Sequence, residues 1–197
     1  MHQRILVAVD LSDASGNALR DARALAEAAG AELAMVHVLP DFADLQSLFP
    51  QSSPTGLPAT DEFASKARDQ IGRWAAEAAQ DPNLELFLDK GDPAATIVRR
   101  AESWGADLIV VGSQGRSALE RMFLGSVANK VVRTAHCPVL VSRPRRPGGN
   151  VIAATDLSDP SLPAIVEGAA EARRRGSHLV VVHVVDSSVG TFAASAG

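Results

Sequence analysis

Residues 108–127, LIVVGSQGRSALERMFLGSV, hold the groups whose spacing could do chemistry. An apolar run of strand length, Leu108 to Val111, stops at Gly112, and the glycines then fall as G-x2-G-x9-G-S at Gly112, Gly115, Gly125 and Ser126. A glycine where a buried strand ends lets the backbone turn through φ > 0, and a second three residues on lets main-chain N–H groups approach a ligand closely. A third glycine before a serine, at the mouth of helical sequence, leaves the first amides of that helix and its positive dipole end open to an anion. Ser126 adds a hydroxyl donor, and Arg116 a charge if its side chain turns inward. The physical reading is a two-part phosphate cradle, with the strand before and helix after that such a glycine motif requires. Loop glycines supporting an ordinary strand-to-helix turn are the plainer reading of any one of them.

The elements that must position this cradle follow from the hydrophobic pattern. Arg4 to Val9, RILVAV, is nearly continuous in apolar residues, as strands buried on both faces of a parallel sheet are. Asp10 ends it, Ser12, Asp13 and Ser15 are candidate caps, and the next helix runs to about Ala29, where Gly30 stops it. Leu33 to Leu39 makes a second strand, so the chain opens as strand, crossover helix, parallel strand. Asp10 stands at a carboxyl strand end, where open α/β sheets place ligands. Its competing role is to cap the following helix. His37, inside the second strand, reads as a packed or hydrogen-bonded core histidine.

Pro40 to Thr60 has prolines, serines and no period, and reads either as a cover over the carboxyl edge of the sheet or as a weakly ordered loop. Phe42, Leu45, Leu48 and Phe49 are its apolar residues. A helix is expected over Asp61–Gln80, with Phe63, Ala67, Ile71 and Trp74 as its core stripe. Leu84 to Leu88 forms a third strand, Asp92 and Pro93 open a helix to Trp104, and Gly105 ends it. The strand at 108–111, a helix over Ser126–Ala135 and a fifth strand, Pro138–Ser142, complete the unit. The expected fold class is α/β: a doubly wound, five-stranded parallel sheet in the order 3-2-1-4-5 with helices on both faces. In that order the first and fourth strands are neighbours whose crossovers leave in opposite directions, and a ligand crevice opens between them.

Composition narrows the function. The 197 residues are 46% apolar and 21% charged, with a net charge of −4, which argues against a general nucleic-acid or anionic-membrane partner. Tyrosine is absent and aromatics are 4%, so stacking platforms for single strands are lacking. The single cysteine, Cys137, rules out an internal disulfide and reads as a packing residue. Arg143, Arg145, Arg146 and Arg173 to Arg175 read as solvated faces. No leader or apolar run of membrane length is seen, so a soluble cytoplasmic protein is expected.

Residues 4–143 resemble a universal stress protein domain. The resemblance is carried by RILVAVDLSDAS, a second strand ending HVLP, VVGSQGRSALERMFLGSVANKVV and HCPVLVSR. It implies ATP as ligand, with Mg²⁺ bridging phosphates. Asp10 matches the acidic residue near the ribose and metal-bound phosphates, and Val38 the position whose backbone pairs with adenine. Gly112, Gly115, Gly125 and Ser126 match the phosphate binders, with Ser113, Arg116 and Val127 more loosely implied. Gln114 and Ala118 depart from the His or Arg and the Gly that many members carry there. The resemblance also implies homodimers formed largely through the fifth strand, whose exposed edge would seek a partner.

After a linker, 144–149, the sequence from Val151 repeats the opening at a constant offset of 146 positions. Asp10, Leu11, Ser12, Asp13 and Ser15 recur as Asp156, Leu157, Ser158, Asp159 and Ser161; Gly30, Leu33 and His37 recur as Gly176, Leu179 and His183. Residues 150–197 therefore read as an incomplete second copy, strand, helix, strand and tail, with no glycine cradle of its own. Such a half-repeat is expected to dock on the first unit or on another copy of the chain, or else to be the loosely held end of a truncated tandem protein. The leading functional expectation is an ATP-binding regulatory protein in which nucleotide occupancy sets loop order and association state. A P-loop Lys-Ser/Thr pair and a histidine beside the glycines are lacking, so slow hydrolysis at most is expected, with no catalytic residue and no dedicated metal ligand set. The alternatives are an adenine-nucleotide hydrolase or adenylyl-transfer enzyme on this scaffold, and a nucleotide-free dimerisation module.

Overall fold

The computed structural model describes residues 2–39, 60–79, 84–113, 124–143 and 149–184. The expected cover at 40–59, the cradle residues Gly115 and Arg116 with their neighbours Gln114 and Ala118, and the tail from 185 lie outside the described residues.

The chain divides into two compact units, residues 1–144 and 145–197. In the first, β1 (Arg4–Ala8), β2 (Glu32–Leu39), β3 (Glu85–Lys90), β4 (Leu108–Gly112) and β5 (Val139–Ser142) alternate with four helices. These are α1 (Asp13–Ala29), α2 (Thr60–Ala79), α3 (Pro93–Trp104) and α4 (Ser126–Thr134). The sheet is parallel throughout, in the order β3-β2-β1-β4-β5. Ile5 sits opposite both Leu33 and Leu108, so β1 is paired on both edges.

Both faces of the central strands are covered, which is why their sequences do not alternate. Ile5, Val7, Met35 and Val110 pack under α1 and α2, on Ala18, Leu19, Ala22, Ile71 and Ala75. Leu6, Ala34, Val36, Ile109 and Val111 pack on the opposite face against Ile97 and Ala101 of α3 and Ala128 and Val131 of α4. Ile5, Leu6, Val7, Ile109 and Val110 are all 0% exposed, so any polar substitution there buries an unpaired group. The side chains of Phe63 and Ala67 lie outside the described residues, while Ile71 is buried and Trp74 packs beside it.

Local chemistry sets the helix ends. Ser12 caps α1 and Asp92 caps α3, each side chain accepting from the amide three residues on. The Ala95 amide, with Lys130 nearby, holds the Asp92 carboxyl below its ordinary range. Gly30 and Gly105 end α1 and α3 in the left-handed conformation, at φ 65° and 73°. Strand β3 closes the outer edge with an Arg100–Asp89 fork at 2.6 and 2.7 Å, the guanidinium lying 4.5 Å from the Phe87 ring centroid.

The second unit holds β6 (Val151–Ala154), a 3-10 turn (Asp159–Ser161), α5 (Leu162–Arg175) and β7 (Leu179–Val182). β6 pairs with β7 in parallel, Val151 opposite Leu179, the register of Ile5 and Leu33 shifted by the sequence offset. Where α1 starts at once, α5 is preceded by the 3-10 turn: a continuous α-helix from Asp159 would need residue 163 to donate to the Asp159 carbonyl, and Pro163 has no N–H to give. Arg174 and Arg175 pair with Glu171 on their own helix. Helix α5 lies close on one sheet face, where a Cβ at Gly168 would meet Leu179 Cδ1 at 3.1 Å and Ala153 Cβ at 3.2 Å. On the other face Ile152 is 68% exposed, against 0% for its counterpart Leu6.

Leu11 and Leu157, at matching positions, both hold φ > 0, at 65° and 68°. That conformation costs a non-glycine residue about 1–2 kcal/mol. Leu11 recovers this by packing on the α1–α2 layer, whereas Leu157 is 70% exposed. Leu157→Gly is therefore expected to stabilise the second unit by about 0.5 kcal/mol after glycine's entropic cost. Leu11→Gly is expected to destabilise the first by about 1 kcal/mol through lost burial. Amide exchange on β6 and β7, and urea unfolding for the first unit, check the opposite signs.

Candidate functional site

Two strand ends meet at the carboxyl rim of the first sheet. At the end of β1, the half-buried Asp10 turns the chain. Its Oδ1 accepts both the amide (3.1 Å) and the hydroxyl (2.5 Å) of Ser12. The Ser12 oxygen in turn accepts the Ser15 amide at 3.2 Å, and the Ser15 hydroxyl donates to the Ser12 carbonyl at 2.9 Å. Asp10 is thus one step removed from the helix cap: it orients the residue that caps. Nothing in the sequence short of this hydrogen-bond pattern marks Leu11 as the residue that must go left-handed to make the turn.

At the end of β4, Gly112 corrects one expectation. Its φ is not positive; the described glycines with φ > 0 are Gly30, Gly91, Gly105 and Gly176. Glycine is required there for space, since a Cβ would stand 2.9 Å from the Ala14 carbonyl carbon, 3.0 Å from its oxygen and 3.1 Å from the Ser15 nitrogen. The first turn of α1 therefore lies directly on the end of β4, bringing the Asp10 turn and Gly112 together.

A second correction concerns the amides. Ser113, 9% exposed, donates its N–H to the Ser142 carbonyl at 3.0 Å, and its own carbonyl accepts the Gly125 N–H at 2.8 Å. The amides of Ser113 and Gly125 are engaged within the protein rather than freed by the glycine turns. The Gly125 bond instead ties the start of α4 to the end of β4. Gly125 is the N-cap residue, at φ −58° and ψ 151°, and α4 has no side-chain cap bond. Its carbonyl accepts the Asn129 amide, so the amides of Ser126, Val127 and Ala128 are the orphan donors of the first turn. Ser126 and Val127 are exposed. The positive end of the α4 dipole thus faces outward beside Ser113.

Of the candidate residues, Gly112, Ser113, Gly125, Ser126 and Val127 are drawn together by these contacts, and Asp10 adjoins them through the β1–β4 pairing. Val38 lies on β2, which runs on past the end of β1 at Ala8. His37 is hydrogen-bonded, its Nδ1 2.7 Å from the Val9 carbonyl oxygen. Cys137 packs at the margin of the α3–α4 layer, where burial pushes its thiol up and leaves little thiolate to react. Among the described residues no group of three His, Cys, Asp or Glu side chains could hold a metal alone. One carboxylate suits Mg²⁺ only where ligand oxygens supply most of the shell, which is how Mg²⁺ binds nucleotide phosphates. Ser142 also ties its hydroxyl to Asp21 of α1 at 2.7 Å, a contact the sequence does not signal.

The second unit repeats the β1 turn. Ser158 donates its amide and hydroxyl to Asp156 Oδ1 at 3.0 and 2.6 Å, and these bonds, the hydroxyl's first, pull the Asp156 carboxyl down to about 2.

Comparison with known proteins agrees with this architecture. The profile of the Universal stress protein family matches residues 1–143. Universal stress protein YxiE of Bacillus subtilis (strain 168) is 37% identical over 153 residues, which cover 73% of this chain and 100% of that protein. A crystal structure of a universal stress protein in complex with cAMP is 27% identical, with a TM-score of 0.51, covering 72% of this chain and 97% of that one. A universal stress protein from Archaeoglobus fulgidus DSM 4304 is alike in fold alone, at 20% identity and a TM-score of 0.60, over 95% of this chain and 69% of that chain. No helix among the described residues is long and apolar enough to cross a membrane. A family profile spanning the whole first unit, on the fold that its motifs imply, leads to one conclusion: the chain belongs to the universal stress protein family.

Proposed function

We propose that the first unit binds an adenine nucleotide at the β1–β4 crevice, with ATP and Mg²⁺ as the working ligand. The observation that carries this is the first turn of α4. Three amides without a side-chain cap are held by the Gly125–Ser113 bond beside the Asp10 turn. Main-chain N–H groups at a helix start are an anion site, and a carboxylate nearby suits a metal-bound polyphosphate better than a bare one. The cAMP complex of a related protein supports the base being adenine. Ser126 would add its hydroxyl to the phosphates, and Gly115 and Arg116 belong to the same proposed cradle.

In this reading the protein is a cytoplasmic stress-response regulator whose nucleotide sets its association state, with slow hydrolysis at most. Homodimers through β5 are part of the proposal. That strand pairs only with β4 among the described residues and carries the half-buried Val139, Leu140 and Val141. Residues 150–197 are read as an incomplete second copy of the domain, since the same turn, register and left-handed residue recur there.

The test is to denature freshly purified protein and identify any released small molecule by mass, then to titrate nucleotide-free protein with ATP and GTP in the presence of Mg²⁺. An adenine nucleotide is expected in the first experiment, and tighter binding of ATP in the second. Protein that releases nothing and binds neither nucleotide at millimolar concentration would sink the reading.

A further inference from the structure

The backbone groups of a parallel strand face its two neighbours alternately, residue by residue. β2 follows this: the Val36 carbonyl accepts the Val9 amide on the β1 side at 3.0 Å, and the Leu39 carbonyl accepts the Gly91 amide on the β3 side at 3.2 Å. Val38, two residues beyond Val36, faces the β1 side again. The group that would continue the ladder for its N–H is the carbonyl of Val9. That carbonyl instead takes the Nδ1–H of His37, at 2.7 Å. Because a carbonyl only accepts, Nδ1 carries the proton. No backbone hydrogen bond joins Val38 to Val9 or to Leu11, and the Val38 N–H and C=O have no backbone partner on this side among the described residues.

We propose that His37 is a positioning residue, which occupies the Val9 carbonyl, ends the β1–β2 ladder one rung early and so keeps the Val38 N–H and C=O open to a ligand. The pair they form, one donor and one acceptor from a single residue, fits a 6-aminopurine edge that offers a ring nitrogen acceptor beside an amino donor. A 6-oxopurine presents the opposite pattern at those positions and leaves both backbone groups unpaired. The same ladder end occurs in the second unit. There Thr155 donates its amide to the Val182 carbonyl at 2.9 Å, and its own carbonyl faces His183 Nδ1 at 2.9 Å. The device therefore belongs to the strand end itself and does not depend on the glycine cradle. The choice of ligand rests on the nucleotide reading above; the early end of the ladder does not.

Amide hydrogen exchange on the nucleotide-free full chain comes first, and the Val38 amide is expected to exchange at least about tenfold faster than that of Val36. In His37→Leu the Val38 N–H is expected to close onto the vacated carbonyl. Its exchange then slows about tenfold, ATP affinity falls about tenfold, and the preference for ATP over GTP is lost. His37→Asn, whose side-chain N–H reaches the same carbonyl, is expected to keep wild-type exchange and discrimination. A protected Val38 amide in the wild type overturns the proposal without any variant, as does His37→Leu with wild-type exchange. Should the wild type bind no nucleotide while both exchange results hold, the nucleotide reading fails and the role of His37 stands.

Discussion

Gly112→Ala lowers the unfolding free energy of the first unit by about 2 kcal/mol, and Gly112→Val by more, while both weaken nucleotide binding beyond what lost stability explains. The added Cβ would meet main-chain atoms of Ala14 and Ser15 at 2.9–3.1 Å, and a backbone cannot rotate aside as a flexible side chain does. Either the first turn of α1 lifts or the end of β4 drops. Both movements separate Asp10 from Ser113 and from the start of α4, because Ser113 anchors Gly125 at 2.8 Å. Urea unfolding and calorimetric titration with Mg²⁺–ATP read the two effects. Alanine tolerated within about 0.5 kcal/mol would mean that the close approach is not a constraint on the fold.

The second large effect separates two roles in one carboxylate. Asp10→Ala removes the acceptor of both Ser12 donors, and Ser12 caps α1. A stability loss of about 1–2 kcal/mol is expected, with Mg²⁺–ATP affinity falling between about ten- and a hundredfold. Asp10→Asn keeps an acceptor oxygen and loses the charge. It should fold within about 0.5 kcal/mol of the wild type and still lose the metal-dependent part of the affinity. With EDTA present the sign reverses: a carboxylate repels a bare triphosphate, so Asp10→Asn should bind ATP more tightly than the wild type. Equal behaviour of the asparagine variant with and without Mg²⁺ would restrict Asp10 to orienting the cap.

Both predictions depend on contacts that the sequence announces unequally. The cap at Ser12, the stop at Gly30 and the start at Asp92–Pro93 are legible because each is settled within a few residues. The repeat is legible for a similar reason: the residues that turn the chain after β1 recur after β6, while the left-handed backbone of Leu11 and Leu157 shows only in the structure. The glycine motif was legible as a pattern but not in its cause. Gly112 is small because α1 packs on it, and the amide of Gly125 serves Ser113 rather than an incoming anion. Gly115 and Arg116, central to the motif, fall outside the described residues.

The amino-acid sequence alone determined the parallel α/β order of the first unit and the strand, helix, strand pattern that recurs at a constant offset in the second. Buried strands, caps and helix stops are local preferences, and each leaves its mark in the residues that form it. The tertiary structure alone decided which donor meets which acceptor: Ser142 on Asp21, Gly125 on Ser113, and His37 on Val9 ahead of Val38. Those choices rest on strand register and on the height at which α1 crosses β4, and groups so far apart along the chain carry no trace of each other in their own sequence.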